Sequence, residues 1–225
     1  MIRLLGAPPS GWTWIFDHRA KIWSRLLEHV ELTFIAVGIG VAISLPLAIL
    51  AHRHRAFYGP ITWITGLFYT IPSLALFVLL LPFTGLSATT AEIGLVSYTL
   101  LILIRNFVVG LRGVPEDVKD AARGMGYTRG QLLRRVELPL ALPAMVAGVR
   151  IATVSTIGLV TVAALIGHGG LGEFILEGLN TFFNTEVLLG AVLSVLLALA
   201  ADAALIGAQR ALTPWARSAR REVPA

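Results

Sequence analysis

The chain alternates long uncharged stretches with shorter segments that carry most of its charge. An α-helix needs about 20 mainly apolar residues to cross a bilayer. The uncharged stretches meet this requirement and predict five membrane-spanning helices, at about 30–51, 61–81, 90–110, 141–166 and 187–209. Within the uncharged run 56–91, a turn at Pro82-Phe83-Thr84-Gly85 is predicted to end the second span.

Composition supports the same class of protein. Of the 225 residues, 56% are apolar and only 14% are charged, whereas soluble domains carry about 25% charged residues. The mean hydropathy is +0.79. The absence of cysteine excludes thiolate catalysis, cysteine-ligated zinc and iron–sulfur clusters. We therefore expect an all-α integral membrane protein.

The distribution of positive charge predicts the orientation. The net charge is +5, and 12 of the 18 lysines and arginines fall in segments that lie inside when the N-terminus is outside. The loops on the opposite side, near 82–89 and 167–186, contain none. Because lysine and arginine concentrate on the cytoplasmic side of membrane proteins, the basic character is a topology signal. We expect no nucleic-acid partner.

The chain ahead of the first span has a mixed character. Met1 to Ser10 lack the continuous apolar stretch of a signal peptide. Residues 11–29 mix tryptophans with charged residues, which predicts a helix in the outer interface with its tryptophans at headgroup depth. The predicted division is an interfacial segment 1–29, a transmembrane domain 30–210 and a cytoplasmic tail 211–225.

The long inner loop at about 113–140, called the inner segment below, begins with signals of a short helix. Pro115 suits the first helical position, and two carboxylates follow in the first turn, where they interact favourably with the helix dipole. This helix is predicted to run to about Arg123. Gly124 and Gly126 are predicted to break it.

A second helix signal follows within the inner segment. Thr128 and Gln131 have the spacing of a capping box and predict a helix over 129–137 that stops before Pro139. The chain thus predicts two short helices, set at an angle, on the cytoplasmic surface. A purely structural role for such helices is the alternative.

Seven residues of the inner segment stand at a recognisable spacing: Asp120, Ala121, Ala122, Gly126, Val136, Leu138 and Pro139. This pattern resembles the cytoplasmic signature of permease subunits of ATP-binding-cassette (ABC) importers, which is Glu-Ala-Ala, three residues, Gly, nine residues, Ile, one residue, Leu-Pro. Asp120 replaces Glu and Val136 replaces Ile, and both replacements keep the chemistry. The shorter Asp120 would weaken a salt bridge at that position.

The resemblance extends over about residues 30–210. The segments that resemble the osmoprotectant branch of these permeases, which imports glycine betaine, choline and carnitine, are 69–76, 104–106, 121–126, 136–143 and 163–172. Methionine and other amino-acid permeases share the five-span plan and a similar Gly-Gly-Leu-Gly loop. A methionine permease is therefore the alternative within the family.

The resemblance implies the fold of a type I importer permease and a set of partners. In the family, the inner helices dock into a separate ATPase, whose ATP-driven closure rocks the spans between inward- and outward-facing states. Neither lysine of this chain, Lys21 or Lys119, lies in a P-loop, so we expect no enzymatic activity here and no bound cofactor. ATP and Mg²⁺ would bind the ATPase subunits.

The remaining partners follow from the same resemblance and from size. Five helices enclose little space, so a second permease chain, identical or related, is expected to complete the pathway. An extracytoplasmic substrate-binding protein would deliver the solute. The expected location is the bacterial cytoplasmic membrane, with the chain crossing it several times. An ATPase contact is assigned to the seven signature residues, where small side chains let another backbone approach and Gly126 permits a turn.

Five residues within spans are candidates for the translocation pathway by resemblance, and all but Pro72 are polar or aromatic: Tyr69, Pro72, Ser73, Tyr98 and Asn106. A quaternary ammonium is held by cation–π contact with aromatic faces, although such selection would mostly occur on the external binding protein. A lipid-facing or helix-packing role is the equally weighted alternative for each residue.

Ionisable residues within spans are functional candidates. Asp202 is predicted to pair structurally with Arg150 or Arg105, and a proton or ion path is the alternative. A secondary transporter that uses Asp202 and Glu92 would need no ATPase. A membrane-embedded enzyme is disfavoured because no catalytic triad or carboxylate pair clusters at one membrane depth.

Two weaker motifs receive ordinary interpretations. Residues 167–172 formally match G-x-G-x-x-G, but they lie at the outer end of a span without a flanking strand. We expect a loop that folds back toward the pathway, with a plain turn as the alternative. His52 and His54 are interpreted as part of a cationic anchor at the inner face, not as a metal site.

Overall fold

A computed structural model describes residues 11–215, and within that range every regular element is helical. The elements are α1 (Gly11–Asp17), α2 (Arg19–Arg53), α3 (Arg55–Thr70), α4 (Ser73–Thr84), α5 (Ala88–Arg112), α6 (Glu116–Gly124), α7 (Arg129–Leu132), α8 (Leu138–Ala163), α9 (Gly172–Thr181) and α10 (Asn184–Leu212). The predictions for Met1 to Ser10, and for the tail beyond residue 215, lie outside the described residues.

Four helical stretches of the described range are long and apolar enough to cross a membrane, and the bent pair α3–α4 makes a fifth if it counts as one span. The predicted all-α membrane fold is confirmed at this level. The four stretches are Arg19–Arg53, Ala88–Arg112, Arg129–Ile166 and Asn184–Leu212.

Helix α5 forms the centre of the fold and packs against α2 on one side and α8 on the other. Its side chains Leu103, Ile104 and Phe107 are almost completely buried. Helix α10 lies at the periphery, against α8 and α9, and leaves apolar side chains such as Leu188 and Leu199 exposed. In a membrane protein such a face is covered by lipid or by another chain.

The segment 11–29, predicted as one interfacial helix, is divided between two helices. Helix α1 ends at Asp17, and the following residues belong to α2, which runs unbroken for 35 residues. Trp14 is buried and packs edge-on against Phe174 and Phe183, so its ring contacts protein side chains. The apolar partner for this end of the chain comes from helix α9, in the connection between α8 and α10.

The second predicted span, 61–81, is not one continuous helix. Helices α3 and α4 meet at an angle of 96°. Pro72 has no N–H to donate, and its ring disfavours helical backbone at Ile71, whose ψ of 130° is extended. The predicted turn also begins later than expected, because Pro82 remains helical and the chain turns at Gly85.

The second inner helix does not stop before Pro139. Helix α7 continues through a π-helical turn, Leu133–Glu137, directly into α8. The wider turn bonds the Leu138 N–H to the Leu133 carbonyl, five residues back. A proline inside a regular helix clashes with the carbonyl four residues before it, and a π turn relieves such a clash. The inner segment therefore continues into a candidate membrane-spanning helix without a break.

The glycine-rich loop at 167–172 packs against α2 at His29. Gly170 lies against the backbone of His29, and the Leu171 N–H donates to Nδ1 of His29 at 3.3 Å. Nε2 of the same buried ring lies 3.1 Å from the Ile157 carbonyl of α8. The described residues contain no strand, so no βαβ dinucleotide site surrounds this motif.

Candidate functional site

The inner segment forms a projection whose turn depends on Gly126. Helix α6 ends in a Schellman motif, in which the Tyr127 N–H donates to the Ala122 carbonyl and the Gly126 N–H donates to the Arg123 carbonyl. Gly126 has a φ of +84°, a left-handed conformation that strongly favours glycine. The predicted break is therefore confirmed at Gly126, whereas Gly124 is still the last residue of α6. Helix α6 begins one residue later than predicted, at Glu116, so Pro115 is the N-cap residue and not the first helical residue.

Ion pairs within one helix reinforce this projection. Glu116 accepts from Lys119 at 2.6 Å and from Arg123 at 2.9 Å, and Arg123 also pairs with Asp120 at 2.5 Å. The hydrogen bonds from Lys119 and Arg123 hold the pKa of Glu116 below its ordinary value. Asp120 thus makes its salt bridge within α6, where its shorter side chain reaches Arg123.

The signature residues divide into an outward and an inward set. Asp120, Ala121 and Gly126 are exposed, whereas Ala122 is only 2% exposed. The outward set places a carboxylate beside two positions with little or no side chain, so another backbone can approach closely. Met125, directly before Gly126, is exposed and adds a large apolar side chain to this surface.

The remaining signature residues anchor the projection to the membrane domain. Leu138 packs against the core formed by α2, α5 and α8, and Val136 and Pro139 are half-buried beside it. The capping box predicted at Thr128 and Gln131 is present, with both reciprocal hydrogen bonds formed. Continuous helical backbone therefore joins the inner segment to α8.

A second candidate site lies at the break between α3 and α4. A cavity of about 340 Å³, called the break cavity, opens beside the Ile71-Pro72 junction. Its walls come from α3, α4, α5 and α8, and the lining residues are Tyr69, Thr70, Ile71, Pro72, Ser73, Tyr98, Thr99, Ile102, Ser155, Thr156 and Leu159. The structure thus brings four of the five pathway candidates together.

A tyrosine side chain forms a hydrogen bond with the backbone at the break. The Tyr98 hydroxyl donates a hydrogen bond to the Ile71 carbonyl, one of the backbone groups that the break releases from helical bonding. The ring of Tyr69 meets the ring of Tyr98 edge-on, with centroids 5.8 Å apart. Two aromatic rings therefore line the cavity, and one of them is fixed by its hydroxyl group.

Comparison with known proteins identifies the family. Residues 37–218 match the family described as binding-protein-dependent transport system inner membrane component. The chain belongs to this family. It is 37% identical over 190 residues to the choline transport system permease protein OpuBB of Bacillus subtilis (strain 168), which covers 84% of this chain and 88% of that protein. The importer-permease prediction is confirmed.

Two further relatives and two solved structures agree. The osmoprotectant import permease protein OsmW of Salmonella typhimurium is 36% identical over 206 residues, or 89% of this chain and 96% of that protein. The glycine betaine/carnitine/choline permease OpuCB of Bacillus subtilis is 34% identical over 211 residues, which cover 94% of this chain and 97% of that protein.

A chain of the inward-facing MetNI methionine ABC transporter superposes with a TM-score of 0.77 at 25% identity, and the match covers 88% of this chain and 98% of that one. An amino acid ABC transporter chain, at 18% identity over 91% and 99%, shares the fold with a TM-score of 0.70.

The charged pair within the spans of this permease is clear. Arg150 of α8 and Asp202 of α10 form a two-pronged ion pair, with N–O distances of 2.8 and 3.0 Å. Of the two partners proposed for Asp202, the structure selects Arg150. Arg105 lies exposed on α5, without an ion-pair partner in the described range. The Asp202 carboxylate is thus engaged with a cation and links two helices.

The fifth pathway candidate lies elsewhere in the permease. The Asn106 amide donates to the Ile102 carbonyl at 2.8 Å, and its side chain packs against Gly148 of α8. Asn106 does not line the break cavity and joins α5 to α8 instead. Sequence reasoning missed Thr156, a buried residue beside the cavity. Threonines are common in apolar helices, where their hydroxyl groups usually bond a carbonyl of the preceding turn, so the sequence does not distinguish this one.

Proposed function

We propose that this permease forms half of the translocation pathway of an ATP-driven importer for a small osmoprotectant such as glycine betaine, choline or carnitine. The relatives named for these solutes match over most of the chain and support this substrate class. The solved methionine transporter chain supports the shared fold, at lower sequence identity. Methionine is accordingly the alternative substrate.

The observation that carries the transport mechanism is the inner segment. Its outward surface combines an exposed carboxylate, Asp120, with the small residues Ala121 and Gly126, on a turn held by a Schellman motif. A projection of this shape suits a groove on a separate ATPase subunit, and that subunit would bind ATP and Mg²⁺. The continuous helix from Arg129 to Ile166 would carry the movement into the spans.

The same proposal places the chain in the bacterial cytoplasmic membrane, with the N-terminus outside and the inner segment facing the cytoplasm. The arginine-rich inner positions support this orientation. A second permease chain would cover the exposed apolar residues of the bundle and close the pathway. An extracytoplasmic binding protein would deliver the solute to the outer face.

Uptake into proteoliposomes tests this function. The permease is co-purified with its ATPase and binding protein, and radiolabelled glycine betaine, choline, carnitine and methionine are compared with ATP inside the ATPase-facing compartment. We expect ATP-dependent uptake of at least one quaternary ammonium solute, and none with a hydrolysis-deficient ATPase. Uptake of methionine alone would establish the alternative substrate, and uptake driven by an ion gradient without the ATPase would overturn the mechanism.

A further inference from the structure

We propose that the inner end of α2 and the π turn together form a site for the headgroup of an anionic phospholipid such as phosphatidylglycerol. A cavity of about 610 Å³, called the arginine pocket, lies between these two elements. It is lined by Arg53, Thr128, Gly130, Gln131, Leu133, Arg134 and Arg135. This inference goes beyond the proposed function and takes from it only the orientation, with the inner segment on the cytoplasmic side.

The first support is the charge of the pocket. Three of its seven lining residues are arginines, and none is a carboxylate. Arg53, Arg134 and Arg135 are exposed, and they form no ion pair within the described range. Like charges that face one cavity repel one another, and an anion between them removes this repulsion. The pocket therefore suits an anionic group.

Other cations of the inner segment have carboxylate partners. Lys119 and Arg123 of α6 both pair with Glu116. The π turn contains one acidic residue, Glu137, which is buried and does not line the pocket. Its Oε1 lies 3.4 Å from Nε2 of His52. The three arginines of the pocket are thus left for a ligand from outside the chain.

The second support is the depth of the pocket relative to the predicted spans. Arg53 lies two residues beyond the first predicted span, and Arg135 lies six residues before the fourth. At 1.5 Å per residue these distances are roughly 3 Å and 9 Å along the helices. The headgroup layer is about 5–8 Å thick on each side of the bilayer, and a long arginine side chain reaches farther than its own backbone. Phospholipid phosphates therefore lie within reach of the pocket.

Exposed apolar side chains favour a lipid over a free phosphate. Leu50, three residues before Arg53, is 36% exposed, and Leu140, near the start of α8, is 40% exposed. Both lie on the membrane side of the arginines in the proposed orientation. Acyl chains would cover such side chains, whereas inorganic phosphate has no apolar part.

The chemistry of the side chains fits a phosphate diester. A guanidinium group presents a planar pair of donors that matches two phosphate oxygens. Thr128 and Gln131 already bond each other's backbone in the capping box, so the arginines supply the contacts. Basic pockets between helices on the cytoplasmic side are typical sites for anionic headgroups. One bound headgroup would link α2 to the π turn.

Lipid binding to the permease–ATPase complex tests the site. The complex is stripped of native lipid in detergent and titrated with phosphatidylglycerol or phosphatidylcholine, and native mass spectrometry counts the lipids on each permease chain. We expect one phosphatidylglycerol per permease chain, bound at least about fivefold more tightly than phosphatidylcholine, which has no net charge. Inorganic phosphate should bind at least about tenfold more weakly, because it makes no apolar contact.

Glutamine variants locate the lipid. Arg53→Gln, Arg134→Gln and Arg135→Gln should each weaken phosphatidylglycerol binding about fivefold, and the triple variant about a hundredfold. Replacement of all three by lysine keeps the charge and should bind more tightly than the triple glutamine variant. Arg55→Gln is the charge-matched control, because Arg55 is exposed and does not line the pocket. It should bind within about twofold of wild type.

Four results would overturn the lipid site. They are equal phosphatidylglycerol affinity in wild type and the triple glutamine variant, the same loss in Arg55→Gln as in Arg53→Gln, equal affinity for phosphatidylglycerol and phosphatidylcholine, and inorganic phosphate binding as tightly as the lipid. The first three would indicate a non-specific lipid shell, and the last a site for a free anion.

The same spectra distinguish the lipid site from the ATPase contact and from the proposed function. The triple glutamine variant should retain the ATPase, and loss of the ATPase would assign the arginines to that partner and overturn the lipid site. Absent phosphatidylglycerol binding in a complex that takes up solute with ATP would overturn the lipid site alone. Specific lipid binding by a complex without ATP-dependent uptake would overturn the importer alone.

Discussion

The permease contains two functionally suggestive helix breaks that differ in how their backbone is satisfied. At the inner segment, the turn at Gly126 is closed by local hydrogen bonds and by ion pairs within α6. At Pro72, inside the apolar region, one freed carbonyl is bonded by Tyr98 and the amino end of α4 has no side-chain cap. The first break needs nothing more, whereas the second leaves donors next to a cavity.

This difference matches the environments of the two breaks. In water an exposed turn must hold its shape by itself, and it can then present a defined surface to another protein. Unsatisfied backbone groups within the membrane are tolerated where they line a cavity. We propose that the partner contact lies at Gly126 and its neighbours, and that the pathway runs beside Pro72.

The largest effect is expected from Gly126→Val. A left-handed conformation costs a non-glycine residue roughly 1–2 kcal/mol, and more for a β-branched one, so the turn should be lost. We predict more than about a tenfold loss of ATP-dependent uptake, measured in proteoliposomes together with ATPase co-purification.

Gly124→Ala is the matched control for that variant. An added Cβ would meet no other atom within 4 Å at either glycine, but only Gly126 has a positive φ. Gly124→Ala should therefore transport normally. Normal transport by Gly126→Val would show that the shape of this turn is not needed for coupling.

A smaller effect is expected from Tyr98→Phe, which removes the hydrogen bond to the Ile71 carbonyl and keeps the aromatic ring. One net hydrogen bond contributes about 1 kcal/mol, so uptake should fall about fivefold. ATPase co-purification should remain at the wild-type level, since α6 and α7 are untouched. Loss of ATPase binding in this variant would contradict the separation of the two breaks.

A still smaller effect on transport is expected from loss of the Arg150–Asp202 pair. We expect Asp202→Asn to lower the melting temperature of the complex, because Arg150 loses its partner, and to leave uptake within about twofold. Thermal unfolding followed by size-exclusion chromatography measures the first effect. Abolished uptake by a stable, assembled Asp202→Asn complex would instead indicate a proton or ion path.

The smallest effect is expected from Glu116→Gln. The pKa of Glu116 is held below its ordinary value by Lys119 and Arg123, so its ion pairs stabilise α6 at neutral pH and are lost as the pH falls through that lowered value. The glutamine variant should lose this acid dependence. Because these pairs are exposed, the difference in melting temperature between pH 7 and acid should be small. An unchanged acid profile in the variant would show that Glu116 is not responsible.

The sequence predicts the inner segment well because its signals are local. The capping box at Thr128 and Gln131, the carboxylates of the first turn and the glycine at the C-terminal turn each act within a few residues. The signature spacing adds a family resemblance that the comparisons support. Pro139 is the exception: it was expected to end the helix, but the π turn Leu133–Glu137 leads directly into α8 and the helix continues through the proline.

Features that depend on distant contacts are harder to predict. The 96° bend at Pro72 lies within an uninterrupted apolar run, and prolines at 46, 60, 82 and 143 stay inside helices. Burial of Trp14 requires helix α9, about 160 residues away in sequence.

The most direct test measures ATPase association and ATP-dependent uptake side by side in Gly126→Val and Tyr98→Phe. If the two breaks have separate roles, Gly126→Val loses the ATPase together with uptake, whereas Tyr98→Phe keeps the ATPase and its uptake falls about fivefold. If Tyr98→Phe also loses the ATPase, or if Gly126→Val keeps both the ATPase and uptake, the assignment of separate roles to the two breaks is contradicted.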